Sequence, residues 1–191
     1  MANSTRDIIV AAAFELFQEH GYDNASMKAI AEQAGLATSH SYFYFASKED
    51  LLVAVIDRAL LDCHEIIVKM SDDSNDLEPG DFLDNCFEAF ASIRRQATFI
   101  IHCALTPKLA ERINQQYQEF HADLNMIFLK YFEGAGTTAQ IAADALSALV
   151  YSYFLKSDED QVKEAFFDVL YFYWDESFGS NLGKHIKMEK N

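Results

Sequence analysis

A group of short polar side chains stands out in the N-terminal part of the sequence, on the second of two short predicted helices. The group consists of Thr38, Ser39, His40 and Ser41. Hydroxyl and imidazole groups of this kind can hydrogen-bond to base edges and to phosphate oxygens. The two helices meet across a glycine-containing turn, which is the layout of a helix-turn-helix. Residues 26–48 therefore form a candidate nucleic-acid interface.

The helix that precedes this group is defined by its apolar spacing. Its apolar positions recur at the spacing of one helical face, and they are Met27, Ile30, Ala31 and Ala34. The small alanines let the two helices approach each other closely. Gly35 then ends the helix, because glycine readily adopts the left-handed conformation that the turn requires.

Capping signals predict the neighbouring helices. Ser4 and Asp7 have the spacing of a capping box, in which each residue satisfies a backbone N–H of the other, and they open the first helix. Ser47 and Asp50 have the same spacing and open a longer helix that runs to about Met70. The N-terminal region is therefore predicted to hold three helices followed by a longer fourth one.

The remaining sequence also shows helical periodicity, interrupted by turn signals. Gly and Pro are scarce, with 7 and 2 residues, which argues against a turn-rich β fold. The sequence therefore predicts an all-α fold. Beyond the fourth helix the expected elements are a loop at 71–81, a helix to about residue 97, a short apolar run at 99–105, a long helix at 107–131, and two long helices at about 138–156 and 158–178.

The chain is acidic, with a net charge of -15, whereas nucleic-acid-binding domains usually show a basic surface. The acid is unevenly distributed, since residues 26–48 carry Lys28 and Lys48 against Glu32, a net charge of +1. Charges farther from a duplex than about 10 Å are largely screened. DNA binding is therefore compatible with this composition, with modest non-specific affinity and strong salt dependence.

Motifs of several other protein classes are missing from the sequence. It contains no catalytic triad, phosphate-binding loop or dinucleotide fingerprint, so no enzyme activity and no cofactor are expected. The three cysteines lack zinc-site spacing and are interpreted as reduced thiols in a core. No secretory signal is evident, and no apolar stretch reaches the roughly 18–20 residues of a membrane span. We therefore expect a cytoplasmic protein that is not membrane-bound.

The segment from Thr5 to Leu52 resembles the DNA-binding region of the TetR family. The resemblance covers the N-terminal quarter, and the rest of the chain agrees only in length and helical pattern. It implies a helix-turn-helix DNA-binding domain at 1–48, followed by a helical ligand-binding and dimerisation domain at 49–191. The matching motifs are HGYDNASM at 20–27, IAEQAGL at 30–36, the aromatic residues Tyr42, Tyr44 and Phe45, and SKEDLL at 47–52.

The resemblance also implies roles for individual residues. The helix at 38–45 would enter the major groove, with Tyr42 on the sugar–phosphate backbone and Lys48 on a phosphate. Backbone N–H groups at 26–28 would face another phosphate. Phe45 and one of the two tyrosines are expected in the core. The expected DNA-binding residues are Ser26, Met27, Lys28, Thr38, Ser39, His40, Tyr42, Tyr44 and Lys48.

Several positions depart from the family's usual pattern. Thr38 stands where a lysine is often found, which removes a cation that could bind phosphate. His40 and Ser41 replace a common Thr-Leu pair, and Ala46 replaces a common proline. Because Ser41 lacks the apolar side chain, the packing of this helix is expected to be looser.

The C-terminal half is rich in aromatic side chains, and two interpretations stay open. These side chains form either an ordinary helical core or an apolar pocket with a few polar groups, the composition typical of small-molecule sites. A pocket of this kind would take an apolar or aromatic effector. The candidate ligand-binding residues are Phe90, His102, Cys103, Gln116, Phe120, His121, Asn125, Phe128, Tyr151 and Phe154.

The last two long helices are predicted to form a homodimer. A helix that is apolar nearly all round, as at 166–174, is unsuited to a solvated surface. A dimer would present two recognition helices to a palindromic DNA operator. The residues predicted to pack there are the small Ala142, Ala145 and Ala148 and the bulky Phe166, Val169, Leu170 and Tyr173.

These features together predict a ligand-responsive transcriptional regulator, a repressor that a small molecule releases from its operator. The effector would act through the fourth helix, which joins the two predicted domains. One alternative is a helical small-molecule-binding protein whose DNA binding is weakened or lost, an interpretation that the weak basic charge and the His40–Ser41 pair support. Another is a co-repressor-type regulator that binds DNA only together with its ligand.

Overall fold

A computed structural model of the chain describes residues 4–73, 77–133, 135–155 and 159–178, and every regular element within these ranges is a helix. The all-α prediction is therefore confirmed. The helices are α1 (Thr5–His20), α2 (Met27–Gln33), α3 (Thr38–Tyr44), α4 (Lys48–Asp73), α5 (Pro79–Leu105), α6 (Pro107–Ala110), α7 (Asn114–Tyr131), α8 (Thr137–Leu155) and α9 (Glu159–Phe178).

The predicted caps are present at the starts of α1 and α4. The Asp7 N–H donates to Ser4 Oγ (3.2 Å), and the Ser4 N–H donates to the Asp7 carboxylate (3.2 Å). Hydrogen bonds from Ser4 favour the charged carboxylate, so the pKa of Asp7 lies below its usual value. At α4, the Asp50 N–H donates to Ser47 Oγ (3.0 Å). These local bonds explain why both helix starts were predictable.

The loop predicted at 71–81 is wrong at both of its ends. Helix α4 continues to Asp73 and α5 already begins at Pro79, while residues 74–76 lie outside the described part of the chain. Proline suits the first helical position because the N–H that it lacks has no helical partner there. The Glu78 carbonyl accepts the N–H of Phe82 (2.9 Å), which starts the helix.

Two boundaries in the middle of the chain also differ from the prediction. The apolar run at 99–105 is the last part of α5, which is continuous from Pro79 to Leu105. The helix predicted at 107–131 is instead divided into α6 and α7, with a break at 111–113. Leu109 and Ile113 are both buried, so the apolar spacing continues across a break that it does not reveal.

The chain forms two compact units. The first, called unit 1, comprises the residues up to Asp62 together with Phe99–Tyr117; the second, unit 2, comprises Cys63–Thr98 and the residues from Gln118 onward. The predicted domain division at residue 48 stays a prediction. Fully buried side chains include Ile9, Ile30, Leu51, Leu52 and Ile56 in unit 1, and Phe82, Phe90, Phe120, Phe128 and Phe166 in unit 2.

All three cysteines are buried, as expected for core thiols. Burial raises the pKa of the Cys103 thiol to about 12 and also raises the pKa of Cys86, so these two thiols stay protonated at neutral pH. Across the described helices, none is both long enough and apolar enough to cross a bilayer.

Candidate nucleic-acid interface

The turn between α2 and α3 is fixed by backbone hydrogen bonds around Gly35. The Gly35 N–H donates to the Glu32 carbonyl (3.0 Å), and the Leu36 N–H donates to the Ala31 carbonyl (2.8 Å). This pair of bonds is the Schellman motif, and it requires a left-handed residue at the position that Gly35 occupies with φ +70°. The predicted glycine turn is therefore confirmed, and it determines the direction in which α3 leaves α2.

Helix α3 has one buried side and a broad exposed side. Ser41 and Phe45 are buried, whereas Ser39 and His40 are exposed. Thr38 is half-buried. The prediction that Phe45 lies in the core is confirmed.

Both tyrosines of α3 are exposed, so the prediction that one of them lies in the core is wrong. Tyr42 is 52% exposed and Tyr44 is 38% exposed. Between them lies Phe43, an exposed aromatic residue that was not among the predicted DNA-binding residues. The run of consecutive aromatic residues in the sequence does not indicate which side chain faces solvent, because exposure depends on how α3 packs against its neighbours.

One of the free backbone N–H groups at the start of α2 already has a hydrogen-bond partner within the chain. Ser26 Oγ accepts the Ala29 N–H (3.1 Å), which caps the helix. Met27 is buried, so its side chain belongs to the core. Lys28 is exposed and its ammonium lies 3.8 Å from the Glu32 carboxylate. Of these predicted residues, Lys28 has a side chain that can reorient toward a phosphate, because its ion pair with Glu32 is solvent-exposed and weak.

The Lys48 ammonium is directed into the protein rather than outward. It donates to the carbonyls of Tyr22 (2.8 Å) and Ala25 (2.9 Å) and reaches that of Asp23 (3.5 Å). It also lies 4.3 Å from the centre of the Tyr22 ring. Lys48 thus holds the loop between α1 and α2 from a position 23 or more residues away. Its predicted contact with a phosphate stays a prediction, and the geometry favours a positioning role.

The cations of unit 1 are engaged within the unit. Its six Lys and Arg side chains each contact a carboxylate, backbone carbonyls or an aromatic ring. A phosphate group would therefore have to compete with these internal partners for each cation. The six residues are Arg6, Lys28, Lys48, Arg58, Lys108 and Arg112.

Two polar contacts that the sequence did not predict join α4 to the break before α7 and to the first turn of α7, within unit 1. The Arg112 guanidinium donates to Asp50 Oδ1 (2.9 Å), and the Gln116 amide donates to Asp57 Oδ1 (2.9 Å). Gln116, a predicted ligand-binding residue, is therefore half-buried against α4. Each pair is separated by about sixty residues in sequence, so no local pattern could have indicated it.

The hydroxyl of Ser41 is buried, and no hydrogen-bond partner for it exists among the described residues. Ser41→Ala is therefore expected to raise the free energy of unfolding by about 1 kcal/mol, because it removes an unsatisfied polar group and improves helix propensity. Chemical denaturation would measure the change. The exposed Ser39→Ala is the control and should stay within about 0.5 kcal/mol of the wild type. A loss of stability in Ser41→Ala would contradict the assignment.

The predicted effector residues fall into two groups. Unit 2 brings together Phe90, Phe120, His121, Tyr151 and Phe154, which we call the aromatic cluster. Its ring centres lie 5.9 Å apart for Phe90–Phe154, 6.3 Å for both Phe120–Phe154 and Phe120–Tyr151, and 5.8 Å for His121–Tyr151. The three phenylalanines are buried, while His121 and Tyr151 are half-buried at the edge.

The remaining candidates lie elsewhere. Phe128, also buried in unit 2, contacts the rings of Phe82 and Phe166. His102 is exposed in unit 1, whereas Cys103 beside it is buried. The structure thus places His102, Cys103 and Gln116 in a different compact unit from the aromatic cluster.

Asn125 is a buried polar residue with a complete set of partners in unit 2. Its amide nitrogen donates to Asp144 Oδ1 (2.9 Å) and lies 3.5 Å from Ser147 Oγ, and its amide oxygen accepts from Gln140 (3.4 Å). A buried amide satisfied in this way stabilises the packing of α7 against α8. Its contacts explain its burial without a ligand.

The fold and the α2–α3 geometry define a helix-turn-helix protein. Residues 9–55, about a quarter of the chain, match the family model described as bacterial regulatory proteins, tetR family. A transcriptional repressor from Mycobacterium tuberculosis is 31% identical over 124 residues, which are 61% of this chain and 45% of that protein. The chain therefore spans less than half the length of this curated relative.

Solved structures share the fold over most of the chain. A transcriptional regulator from Aquifex aeolicus superposes with a TM-score of 0.65 at 20% identity, covering 88% of this chain and 99% of that one. SmeT in complex with triclosan superposes with a TM-score of 0.63 at 20% identity, covering 91% of each chain. At these identities the likeness establishes the all-helical architecture beyond the N-terminal domain.

Proposed function

We propose that this protein is a ligand-responsive, DNA-binding transcriptional regulator that represses its genes until a small molecule releases it. The observation that carries the proposal is the α2–Gly35–α3 arrangement, with a fixed turn and an exposed, acid-free face on α3, within a segment that matches the TetR family. The M. tuberculosis relative is named as a transcriptional repressor, which supports the direction of control. A DNA-binding regulator of this kind acts in the cytoplasm.

The DNA contacts that we propose use the exposed side chains of α2 and α3. Ser39, His40 and Tyr42 would face bases and backbone from α3, with Tyr44 beside them, and Lys28 would bind a phosphate from α2. Hydroxyl, imidazole and phenol groups suit both base edges and phosphate oxygens. Since the internal partners of the cations must be displaced or shared, binding should weaken steeply with salt.

The effector site that we propose is the aromatic cluster of unit 2. Buried rings with half-buried His121 and Tyr151 at their edge suit an apolar or aromatic compound, because such sites combine apolar walls with a few orienting polar groups. SmeT, which shares the fold, is found in complex with triclosan, an aromatic compound. Helix α4 contributes residues to both units and is the element through which the effector would act. A coupling of about 1–3 kcal/mol would suffice.

The proposed dimer uses exposed apolar side chains of α8 and α9. Ala142, Phe166 and Leu170 are fully buried in the protomer, so their predicted place in the dimer interface is wrong. Ile141, Leu155 and Phe172 are instead exposed on these helices, together with Ala148. A second copy of the chain would cover these exposed apolar side chains, since monomers rarely leave a large apolar patch in water.

Phe172→Asp is expected to convert the dimer to monomers. Phe172 is 59% exposed in the protomer, so the variant should fold, whereas two buried carboxylates would oppose association across a symmetric interface. Sedimentation velocity would measure the change. Leu105→Asp, at an exposed apolar residue at the end of α5, is the control and should remain dimeric. A wild-type protein that sediments as a monomer at micromolar concentration would refute the dimer itself.

The proposed function is tested by incubating the purified protein with a library of genomic DNA fragments at low and moderate salt and sequencing the retained DNA. Enrichment of a palindromic sequence is expected, and Tyr42→Ala should enrich the same sequence more weakly while keeping the wild-type melting temperature. Adding flat aromatic compounds should then release the DNA from the wild type. Absence of enrichment with and without added compounds would favour a ligand-binding protein that does not bind DNA.

A further inference from the structure

Phe43 lies at the centre of the face that α3 presents to solvent. It is 80% exposed, more than any other large apolar side chain among the described residues, whereas Ser41 and Phe45 are buried. Successive helical residues are turned by about 100°, so Phe43 lies about 200° from Ser41, opposite the buried side. A contact that buries this ring would be favourable, because it removes a large apolar surface from water.

The composition of α3 restricts what that face can recognise. The helix, TSHSYFY, contains no Lys, Arg, Asn or Gln, which are the side chains that form bidentate pairs with guanine and adenine. Ser39 and His40 precede Phe43 by one turn and are exposed beside it. In the major groove, the one apolar group that distinguishes a base is the 5-methyl group of thymine. The exposed apolar ring of Phe43 is therefore suited to contact the thymine methyl group.

We propose that Phe43 is a specificity-determining residue that recognises a thymine in each half-site through its methyl group. The inference rests on the proposed function, because it needs α3 to enter the major groove. The Tyr44 ring stands edge-on to the Phe43 ring, with centres 5.2 Å apart at 86°. This contact restricts the Phe43 side chain before binding, which lowers the entropy that recognition costs.

Deoxyuridine substitution tests the proposal, because deoxyuridine pairs like thymidine but lacks the methyl group. Each thymine of the selected DNA sequence is replaced in turn, and dissociation constants are measured by fluorescence anisotropy for the wild type and for Phe43→Ala. In the wild type, one substitution per half-site should weaken binding about four-fold, the loss that corresponds to one buried methyl group. At the same position Phe43→Ala should bind thymine and uracil equally.

Tyr42→Ala is the matched control, since it removes a neighbouring exposed aromatic group. It should bind more weakly overall and keep the roughly four-fold preference for thymine at that position. A Phe43→Ala protein that keeps the wild-type preference at every thymine would overturn the inference alone. A wild type that shows no preference for thymine over uracil at any position would also overturn it. Failure of the wild type to enrich any sequence would overturn the proposed function, and the inference with it.

Discussion

Lys48→Met is expected to lower the free energy of unfolding by about 2–3 kcal/mol. The substitution keeps the apolar stem but removes the ammonium that donates to the carbonyls of Tyr22 and Ala25. Hydrogen bonds from a charged donor contribute about 1.5–3 kcal/mol, and carbonyls left without a partner in a half-buried loop add to the cost. Urea denaturation followed by circular dichroism would measure the change.

Lys28→Met is the matched control for this variant. Lys28 is exposed and paired with Glu32 one turn along α2, so its removal should cost no more than about 0.5 kcal/mol. Equal destabilisation by the two substitutions would show that the Lys48 ammonium contributes nothing specific.

The same pair of variants separates a positioning role of Lys48 from direct binding to a phosphate. The slope of log affinity against log salt falls by about one for each phosphate that a variant no longer binds. Lys28→Met is expected to reduce the slope in this way. Lys48→Met should instead weaken binding with an unchanged slope, because it displaces the loop that precedes α2. A reduced slope in Lys48→Met, with unchanged stability, would assign Lys48 to the DNA.

Phe90→Ala is expected to cost about 3–5 kcal/mol, the range for a fully buried phenylalanine. Phe90 has no exposed surface in unit 2 and its ring lies 5.9–6.4 Å from those of Phe87, Tyr153 and Phe154. Truncation would remove the packing between these rings and leave a cavity. Thermal and chemical denaturation would both report the decrease in stability.

The exposed Phe43→Ala is the control for Phe90→Ala and should change stability by less than about 0.5 kcal/mol. The result also bears on the effector site. A cost below about 1.5 kcal/mol would mean that the ring of Phe90 is poorly supported, as expected for the wall of a preformed pocket. The full cost would show that Phe90 belongs to the buried, well-packed part of the aromatic cluster. His121 and Tyr151 would then remain as the accessible edge of the cluster.

Local sequence signals determined the first four helices. The caps at Ser4 and Ser47 and the turn at Gly35 each depend on hydrogen bonds or dihedral angles within a few residues, so they can be recognised without knowledge of the fold. The same signals failed between residues 71 and 113. There the apolar spacing continued through the break before α7, and an acidic composition concealed the start of α5 at Pro79.

Tertiary structure alone decided how the side chains of the candidate sites are used. Periodicity shows that a helix has an apolar side, but it could not tell that Ser41 would be buried while Phe43 faces solvent. Likewise, the family resemblance implied a phosphate partner for Lys48, whereas its ammonium donates to carbonyls 23–26 residues earlier in the chain. The direction and burial of a side chain depend on partners that are distant in sequence. The sequence gives the residue types, but only the tertiary structure determines which of them are in contact.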